Sequence, residues 1–374
     1  MPFPGVKVKI GNNNLLANVS VPDAVPAIVA IGTLTGVHKL YGPEDYPSDS
    51  VAGNQAFVEE FYNEVGGRTP LLYMEYGGTT STDLPAAVKK MCELHPEVNI
   101  IAAIEGPVTH TFTKNGALCD NVVNHVTALK PILEARQAAG HPVRVFLPGH
   151  LDPGKVESGI SYVPKNAGNG YVAIVLGSAY DNGRPSVGVA LGRATKVAAH
   201  VKLGDGTYGP LAISEVYYGG EDTPYDVVGV SRVEEWHDAG FLTFMRRQGQ
   251  EGWYFGVDNM CSSDDYSILA HGRVVDKAQR VAIAAYMPYV ETSMQIADDG
   301  TIDVADAESM AKIIESQLRA QMGDQVSNVK VVVPVEQDLI NTRTLTVNIS
   351  VLPLGYNTWI NVSLNLVSNL KEEE

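Results

Sequence analysis

The fold is decided near the end of the chain, where residues 359–370 read WINVSLNLVSNL. Polar and apolar side chains alternate in this stretch, and the apolar ones are Ile360, Val362, Leu364 and Leu366. Such alternation is typical of a β-strand with one dry face. A strand close to a terminus can pair within its own sheet, or it can complete the sheet of a neighbouring molecule. We predict the second arrangement, with these four residues in an inter-subunit arm.

A second alternating stretch lies at the other end of the chain, where residues 5–10 read GVKVKI. Its apolar members are Val6, Val8 and Ile10. The lysines between them suit the exposed side of an edge strand. We therefore predict a second arm at the N-terminus.

Composition bounds the class of protein. The chain has 374 residues, of which 45% are hydrophobic, enough for two domains or one large core with insertions. A net charge of −16 repels phosphate backbones, which argues against nucleic-acid binding. No apolar run reaches membrane-spanning length and no signal-peptide core follows Met1, so no stable membrane association and synthesis in a cytoplasm are predicted.

Strands and helices alternate in the first half of the chain. Strands are predicted at 27–31, 71–76, 99–104, 143–147 and 171–176, and helices at 54–65, 84–94 and 121–139. This order predicts an α/β fold of layered sheets flanked by helices. Spaced glycines at 183–192 indicate close backbone approach or tight bends rather than a regular element.

The second half mixes helices and strands. A helix is predicted at 234–247, a strand at 253–257, and an amphipathic helix at 273–286 that Pro288 ends. Asp303 is predicted to cap another helix, which strands at 329–335 and 345–351 follow. The fold class is therefore α/β with α+β character and extended terminal strand arms.

Three motifs that suggest small-ligand sites lack the right context. Residues 204–209 match GxGxxG, but Pro210 and a β-prone segment follow where a dinucleotide site needs a helix. Residues 298–303 resemble part of a calcium loop, but Gln295 and Ala297 occupy the first two ligand positions. A helix-capping turn is the better interpretation.

Isolated polar pairs also lack supporting motifs. His150 with Asp152, and His237 with Asp238, are accompanied by neither a GxSxG nor an HExxH motif. The three cysteines, which form no CxxC pair, are Cys92, Cys119 and Cys261. We predict structural histidines and reduced, partly buried thiols, with no catalytic, cofactor-binding or metal-binding residues.

A family resemblance emerges from the order of short motifs after residue 240. The motifs are GWYFGVDN at 252–259, SSDDY at 262–266 and AHGRVVDKA at 270–278. Their order resembles the C-terminal region of contractile phage tail sheath proteins, where a Ser/Asp-rich loop precedes a VxxRRxxD-like helix start. Gly272 replaces one of the two usual arginines beside Arg273. The match is clearest over 240–366 and weak over 41–206.

The resemblance implies an organisation and a function. Its segments would be an N-terminal arm (1–22), an α/β domain with or without an outward-facing insertion (23–206), a sheath-like domain (207–355) and a C-terminal arm (356–374). Subunits of this family stack as hexameric rings around an inner tube, add strands to one another's sheets, and contract to drive the tube through a target envelope. The implied partners are copies of the same chain, the inner tail tube protein, the baseplate and the tail terminator. The implied location is the virion, after assembly in the host cytoplasm, with no cofactor.

The resemblance also suggests roles for particular residues. The helix before the last strands faces the tube in this family, which makes Lys312, Glu315 and Arg319 candidates for tube contacts. The candidate hinges beside the arms are Gly11, Pro353 and Gly355. Two alternatives stay open: a cytoplasmic α/β enzyme of unknown substrate, and a baseplate or tube component of the same machine.

Overall fold

The computed structural model describes residues 21–77, 83–105, 110–358 and 360–362. The strands are β1 (Pro26–Ile31), β2 (Val37–Leu40), β3 (Leu71–Tyr76), β4 (Ile100–Ile104), β5 (Arg144–Pro148), β6 (Val172–Val175), β7 (Phe244–Met245), β8 (Tyr254–Phe255), β9 (Val326–Val332) and β10 (Asn348–Pro353). The helices are α1 (Gln55–Val65), α2 (Asp83–Leu94), α3 (Asp120–Ala138), α4 (Val187–Lys196), α5 (Tyr225–Val228), α6 (Val230–Ala239), α7 (Leu269–Tyr286), α8 (Val304–Met322) and α9 (Leu339–Thr342).

A six-stranded sheet, in the order β2-β3-β1-β4-β5-β6, forms the centre of the molecule. All neighbouring strands are parallel except β2, which runs antiparallel to β3 at one edge. Strands β4, β5 and β6 are buried along their whole length because helices cover both faces. The predicted α/β class is confirmed, and the five parallel strands lie within one or two residues of the predicted positions, whereas the edge strand β2 was not predicted.

Two helix pairs, α1 with α4 and α2 with α3, pack around this sheet. Helix α4 was not predicted, because its glycines indicated bends. A β-carbon on Gly188 would lie 2.3 Å from the Phe57 carbonyl oxygen, and one on Gly192 would lie 2.8 Å from that of Phe61. The predicted close backbone approach is therefore correct, but it occurs between two helices.

The segment after β6 completes the same core. The predicted helix at 234–247 is too long: α6 ends at Ala239, where Gly240 adopts φ +110°, and Phe244 lies in β7. Leu242 forms a parallel bridge with Val175, which attaches this segment to β6. One hydrophobic core thus runs across residue 206, while the predicted domain boundaries stay predictions. Residues 23–268 are hereafter the sheet region.

Residues 269–353, hereafter the C-terminal unit, form a smaller second core. Helices α7 and α8 contribute Val281 and Ile314 to it, and β9 contributes Val329. Asp303 caps α8 as predicted, since its carboxylate accepts hydrogen bonds from the backbone N–H groups of Ala305 (2.9 Å) and Asp306 (3.2 Å). Among the described residues, no helix is long and apolar enough to cross a bilayer.

Candidate assembly surface

The two-stranded β9–β10 sheet covers the C-terminal unit on one side. Its strands are antiparallel, with Ile349 opposite Val331 and Val351 opposite Val329. Those four side chains pack toward α7 and α8. The opposite face is exposed, and it carries Asn328, Lys330, Val332, Asn348, Ser350 and Leu352. An isolated pair of strands is marginally stable, and the described part of the chain supplies no third strand to this sheet.

Side chains already form hydrogen bonds with backbone groups of Val329 in β9. The Val329 N–H donates to Asn328 Oδ1 at 2.9 Å, and the Val329 carbonyl accepts from Arg319 Nη2 at 3.2 Å. Such contacts blunt a strand edge, which otherwise offers unpaired backbone groups to other chains. A strand added at this point would have to displace Arg319.

The segment after β10 is anchored on the sheet region. The Tyr356 hydroxyl donates to the His200 carbonyl at 2.5 Å, and the Lys202 ammonium lies 4.8 Å from the Tyr356 ring centroid. Lys202 Nζ also donates to Thr358 Oγ1 at 3.3 Å. These contacts fix the point at which the predicted C-terminal arm begins.

Beyond this anchor the chain turns apolar and exposed. Ile360 and Val362 are 77% and 76% exposed. The other predicted arm residues, and the hinge candidate Gly11, lie outside the described residues: Val6, Val8, Ile10, Leu364 and Leu366. Of the remaining hinge candidates, Pro353 ends β10, and Gly355 has open space where a side chain would be.

The three candidate tube contacts on α8 differ in exposure and in their ion-pair partners. Lys312 is exposed and pairs with Glu308 at 3.6 Å. Glu315 and Arg319 pair with each other at 2.8 Å, and Arg319 also reaches β9. Lys312 is thus directed to solvent, whereas Arg319 is already engaged within the C-terminal unit.

The motifs that carried the family resemblance form the joint between the two regions. Asp258 Oδ2 accepts from the Ala270 N–H at 3.0 Å and so caps α7. Asn259 Nδ2 donates to the carbonyls of His237 (2.9 Å) and Phe241 (3.1 Å), which holds the turn after α6. These polar residues secure backbone that would otherwise be buried without partners.

Helix α7 joins the regions through buried charges. Asp276 accepts from Arg144 Nε (2.6 Å) and Nη2 (2.7 Å), and both side chains are almost fully buried. Burial alone would lower the pKa of Arg144, but Asp276 holds that pKa above its ordinary value. A β-carbon on Gly272 would lie 2.6 Å from the Arg144 guanidinium carbon. Gly272 therefore leaves the space that the guanidinium of a distant strand fills.

Arg273, the arginine retained in the motif, is also buried. Its guanidinium donates to the carbonyls of Val197 (3.1 Å) and Ala198 (3.4 Å). Lys277, one turn further along α7, pairs with Asp23 at 3.0 Å. The motif thus fixes α7 to the sheet region.

The histidines considered as acid/base candidates have structural contacts. His237 Nε2 accepts from the Val257 N–H at 3.0 Å. Burial, with lesser contributions from His110 and Arg184, lowers the pKa of His150 to about 3. Asp152 caps a short helical turn by accepting from the Gly154 N–H at 3.0 Å. The predicted burial of the cysteines is confirmed: all three are buried free thiols.

A groove of about 500 Å³ lies at the carboxyl ends of β1 and β3, where an enzyme of this topology would bind its substrate. Its Glu75 carboxylate accepts hydrogen bonds from the Tyr73 hydroxyl (2.6 Å) and from the N–H groups of Leu34 (2.9 Å) and Val51 (3.1 Å). Ser50 donates a further bond. These donors hold the pKa of Glu75 below its ordinary value although burial acts to raise it. The carboxylate thus ties loops together, which does not favour the enzyme alternative.

Comparisons with known proteins agree with this picture. A family model described as DUF2586, C-terminal domain, matches residues 265–371. No match among curated protein sequences was found. The chain is similar to the contracted helical sheath of the anti-feeding prophage, with 14% identity, a TM-score of 0.66, and coverage of 99% of this chain and 100% of that chain.

Two further structures give the same result. The contracted PVC sheath complex of an extracellular contractile injection system is 12% identical with a TM-score of 0.61, and 98% of each chain is covered. The sheath tail protein of Listeria innocua is 10% identical with a TM-score of 0.51, covering 88% of this chain and 95% of that chain. The predicted resemblance is confirmed: the chain has the fold of the sheath proteins of contractile injection systems.

Proposed function

We propose that the chain is a structural subunit of a contractile tail sheath. Copies would polymerise as stacked hexameric rings around an inner tube and contract to drive that tube through a target envelope. The observation that carries the proposal is coverage: sheath structures match 98–99% of this chain and 98–100% of their own length. A shared scaffold inserted into an unrelated protein would leave large unmatched parts.

Strand addition between subunits is the proposed means of polymerisation. The C-terminal unit contributes a two-stranded sheet in which Asn328 and Arg319 occupy only part of the β9 edge, and the exposed apolar residues Ile360 and Val362 follow the anchored segment. A neighbour's arm laid along β9 or β10 would extend this sheet and satisfy its edge groups. Residues 5–10 would supply a second arm.

The energetics favour a lattice over an isolated pair. Complete burial of the four apolar side chains of the C-terminal arm would stabilise a contact by roughly 6–10 kcal/mol. Ordering the strand costs about 1–2 kcal/mol per residue, so these two contributions nearly cancel. Backbone hydrogen bonds and the simultaneous engagement of several arms in a ring would supply the remainder.

The inner tube is the proposed partner of α8. Lys312 is the best placed of the three candidate contacts because its ammonium faces solvent. Arg319 and Glu315 would contribute only if their present pairing were exchanged for contacts with the tube. The baseplate and the tail terminator would bind the two ends of the assembled sheath.

No hydrolytic step is part of this proposal. Energy for contraction would be stored in the lattice during assembly and released as subunits move about joints beside the arms. Pro353 and Gly355 are the proposed joint beside the C-terminal arm, between the end of β10 and the contacts of Tyr356, and a side chain at Gly355 would meet open space.

Electron microscopy of the purified full-length chain tests the proposal, alone and with its tube protein. We expect rings or tubes. Deletion of residues 359–370 should abolish them while leaving the circular dichroism spectrum and thermal unfolding of the core unchanged. A matched deletion of residues 371–374, which removes only a charged tail, should leave assembly intact.

Two outcomes would contradict the proposal. Full-length protein that stays monomeric at every concentration and with the tube present would argue against a sheath. Tubes that survive the 359–370 deletion would leave a sheath possible but would remove the arm from its assembly. Charge reversal by Lys312→Glu should weaken tube binding without affecting the formation of rings.

A further inference from the structure

Three side chains of different chemistry converge at the carboxyl end of β4. Glu105 follows that strand, His110 lies in the loop after it, and Cys119 immediately precedes α3. Cys119 Sγ lies 3.5 Å from His110 Nδ1, which in turn lies 3.7 Å from Glu105 Oε2. One donor atom from each residue falls within 4.8 Å of the other two.

The Cys119–His110 separation equals one edge of a zinc coordination tetrahedron, the His110–Glu105 separation is about 0.1 Å longer than such an edge, and the third pair lies within 4.8 Å, so small side-chain shifts would close the tetrahedron on an ion. With Zn–S near 2.3 Å and Zn–N or Zn–O near 2.0–2.2 Å, tetrahedral ligand atoms lie about 3.3–3.6 Å apart. Thiolate, imidazole and carboxylate are also the three ligand types that zinc takes from proteins. A site with three protein ligands leaves one position for water.

Neighbouring groups hold each of the three residues in place. His125 Nε2, from α3, is hydrogen-bonded to Glu105 Oε1 and leaves Oε2 directed toward His110. The Cys119 N–H donates to the His150 carbonyl at 2.9 Å. The His150 ring stacks on the His110 ring at 4.0 Å between centroids. Support of this kind around the ligands raises metal affinity.

The loop that carries His110 is fixed by a separate carboxylate. Asp120 accepts from the backbone N–H groups of Thr113 (2.9 Å) and Lys114 (3.0 Å), and from Asn115 Nδ2 (2.9 Å). The Asp120 N–H donates to the Thr111 carbonyl at 2.8 Å. His110 is therefore placed beside Cys119 by contacts that do not involve the three ligands themselves.

A further buried nitrogen belongs to His150, whose ring stacks on that of His110. His150 Nε2 is inaccessible to solvent and has no hydrogen-bond partner among the described residues. A buried polar atom without a partner is costly, and an unseen water or ion is one of its ordinary explanations. His110 is about one-fifth exposed and gives a route from solvent to the cluster.

We propose that Glu105 Oε2, His110 Nδ1 and Cys119 Sγ bind one Zn²⁺ ion. Water fills the fourth position, and His125 acts as a positioning residue that orients the Glu105 carboxylate. Coordination forms the Zn–S bond as the thiol proton leaves to solvent. The ion links the end of β4 to the start of α3, and its role is to stabilise the subunit rather than to catalyse a reaction.

Metal uptake by the full-length chain tests this site. The metal-free protein, prepared with a chelator, is titrated with Zn²⁺ and, separately, with Co²⁺ as a spectroscopic probe. We expect equimolar uptake, a thiolate-to-cobalt charge-transfer band with tetrahedral visible bands, and a higher thermal midpoint with Zn²⁺.

Variants assign the ligands. Cys119→Ala should remove the charge-transfer band, and His110→Ala should remove tight binding. The matched control is Cys92→Ala, which alters an equally buried thiol far from the cluster and should leave the spectrum unchanged. His125→Asn should weaken binding about 10–100-fold while keeping the charge-transfer band, because Cys119 still binds the metal.

Three results would overturn the proposal: no uptake by the folded wild-type chain, a charge-transfer band that survives Cys119→Ala, or an equal loss with Cys92→Ala. Circular dichroism of each metal-free variant separates loss of a ligand from loss of the fold. The same titration on the 359–370 deletion should give wild-type uptake, so this site and the proposed assembly can fail independently.

Discussion

The sheet region and the C-terminal unit differ in how completely each pairs and buries its own β-strands. In the sheet region, β1 lies between β3 and β4, and β4 is buried along its whole length. In the C-terminal unit, β9 and β10 have only each other among the described residues, and about half of their side chains are exposed. In the first region four of the six strands of the central sheet have a neighbour on each side, whereas in the second region both strands are edge strands among the described residues.

This difference separates stability from association within one chain. A six-stranded sheet covered by helices on both faces gains little stability from a neighbouring subunit. A two-stranded sheet over a small core gains stability from every added strand. Helix α7 belongs to both regions because it packs against the small core and is held by buried charges to the large one. The substitutions below test how far the two regions differ.

The largest loss of stability should come from breaking the buried ion pair between Arg144 and Asp276, which joins the two regions. Asp276→Ala leaves the Arg144 guanidinium buried without its carboxylate, and we expect a loss of about 3–5 kcal/mol in the free energy of unfolding. Denaturant unfolding measures it. Replacement of both Arg144 and Asp276 by leucine should cost less, because no buried charge is left unpaired.

The exposed pair of the C-terminal unit is the matched control for that joint. Glu315→Ala breaks a solvent-facing pair with Arg319 and should cost about 0.3–0.5 kcal/mol. Equal losses for Asp276→Ala and Glu315→Ala would mean that the joint is as well hydrated as the surface, contrary to its burial.

The same apolar truncation made in each region should give unequal losses. Ile101→Ala removes a fully buried side chain from β4 and should cost about 2–5 kcal/mol. Ile349→Ala acts on a half-buried β10 side chain, and about 1–2 kcal/mol is expected in the monomer. Comparable losses in monomeric protein would show that β10 is as enclosed as β4.

Lowering the pH should reduce the stability of the sheet region, because Asp120 becomes protonated. Burial alone would raise the pKa of Asp120, but hydrogen bonds from Thr113 and Lys114 outweigh it and bring that pKa to about 2. Because the folded value lies below the unfolded one, this stabilisation is complete above about pH 4 and fades as the pH falls toward 2. Asp120→Asn should therefore cost about 1–2 kcal/mol at pH 6 and progressively less at lower pH.

Asp338 in the C-terminal unit is the control for this acid response. Its pKa is lowered by hydrogen bonds from Asn341, but the side chain is exposed. Urea unfolding at a series of pH values should show a smaller pH dependence for Asp338→Asn than for Asp120→Asn. A pH-independent difference between wild type and Asp120→Asn would contradict the assigned hydrogen bonds.

The smallest effect on stability should accompany a large effect on assembly. Ile360→Asp changes an exposed side chain, so the free energy of unfolding should stay within about 0.5 kcal/mol of wild type. Particle formation by electron microscopy should fall sharply if this residue enters a neighbour's sheet. Val227→Asp changes a 69% exposed valine in the sheet region and should leave both quantities unchanged.

Much of the fold could be predicted because the parallel strands are short apolar runs separated by amphipathic helices. The position of α7 followed from the spacing of Val274, Ala278 and Val281, which share its buried face. Helix α4 could not be predicted in this way. Gly188 and Gly192 lower helix propensity, and only contact with α1 explains their presence.

The proposed functional sites were harder to predict from the sequence than the fold. The arms, which stay predictions, were proposed from local alternation, which one stretch of sequence displays by itself. The convergence of Glu105, His110 and Cys119 depends on the order of strands in the sheet, which spacing does not specify. One usable signal was present, since Glu105 follows β4 and His150 follows β5, and the carboxyl ends of parallel strands share one edge.

The anchoring of Tyr356 to His200 sets a limit on distance. Residues 359–370, the twelve that follow Thr358, would span at most about 40 Å if fully extended. If these residues add to a neighbour's sheet, as proposed, the partner strand would have to lie within this radius of Thr358 before and after any change in the lattice. Such an arm would act as a tether of fixed length: neighbouring subunits could slide and rotate but could not separate beyond its reach.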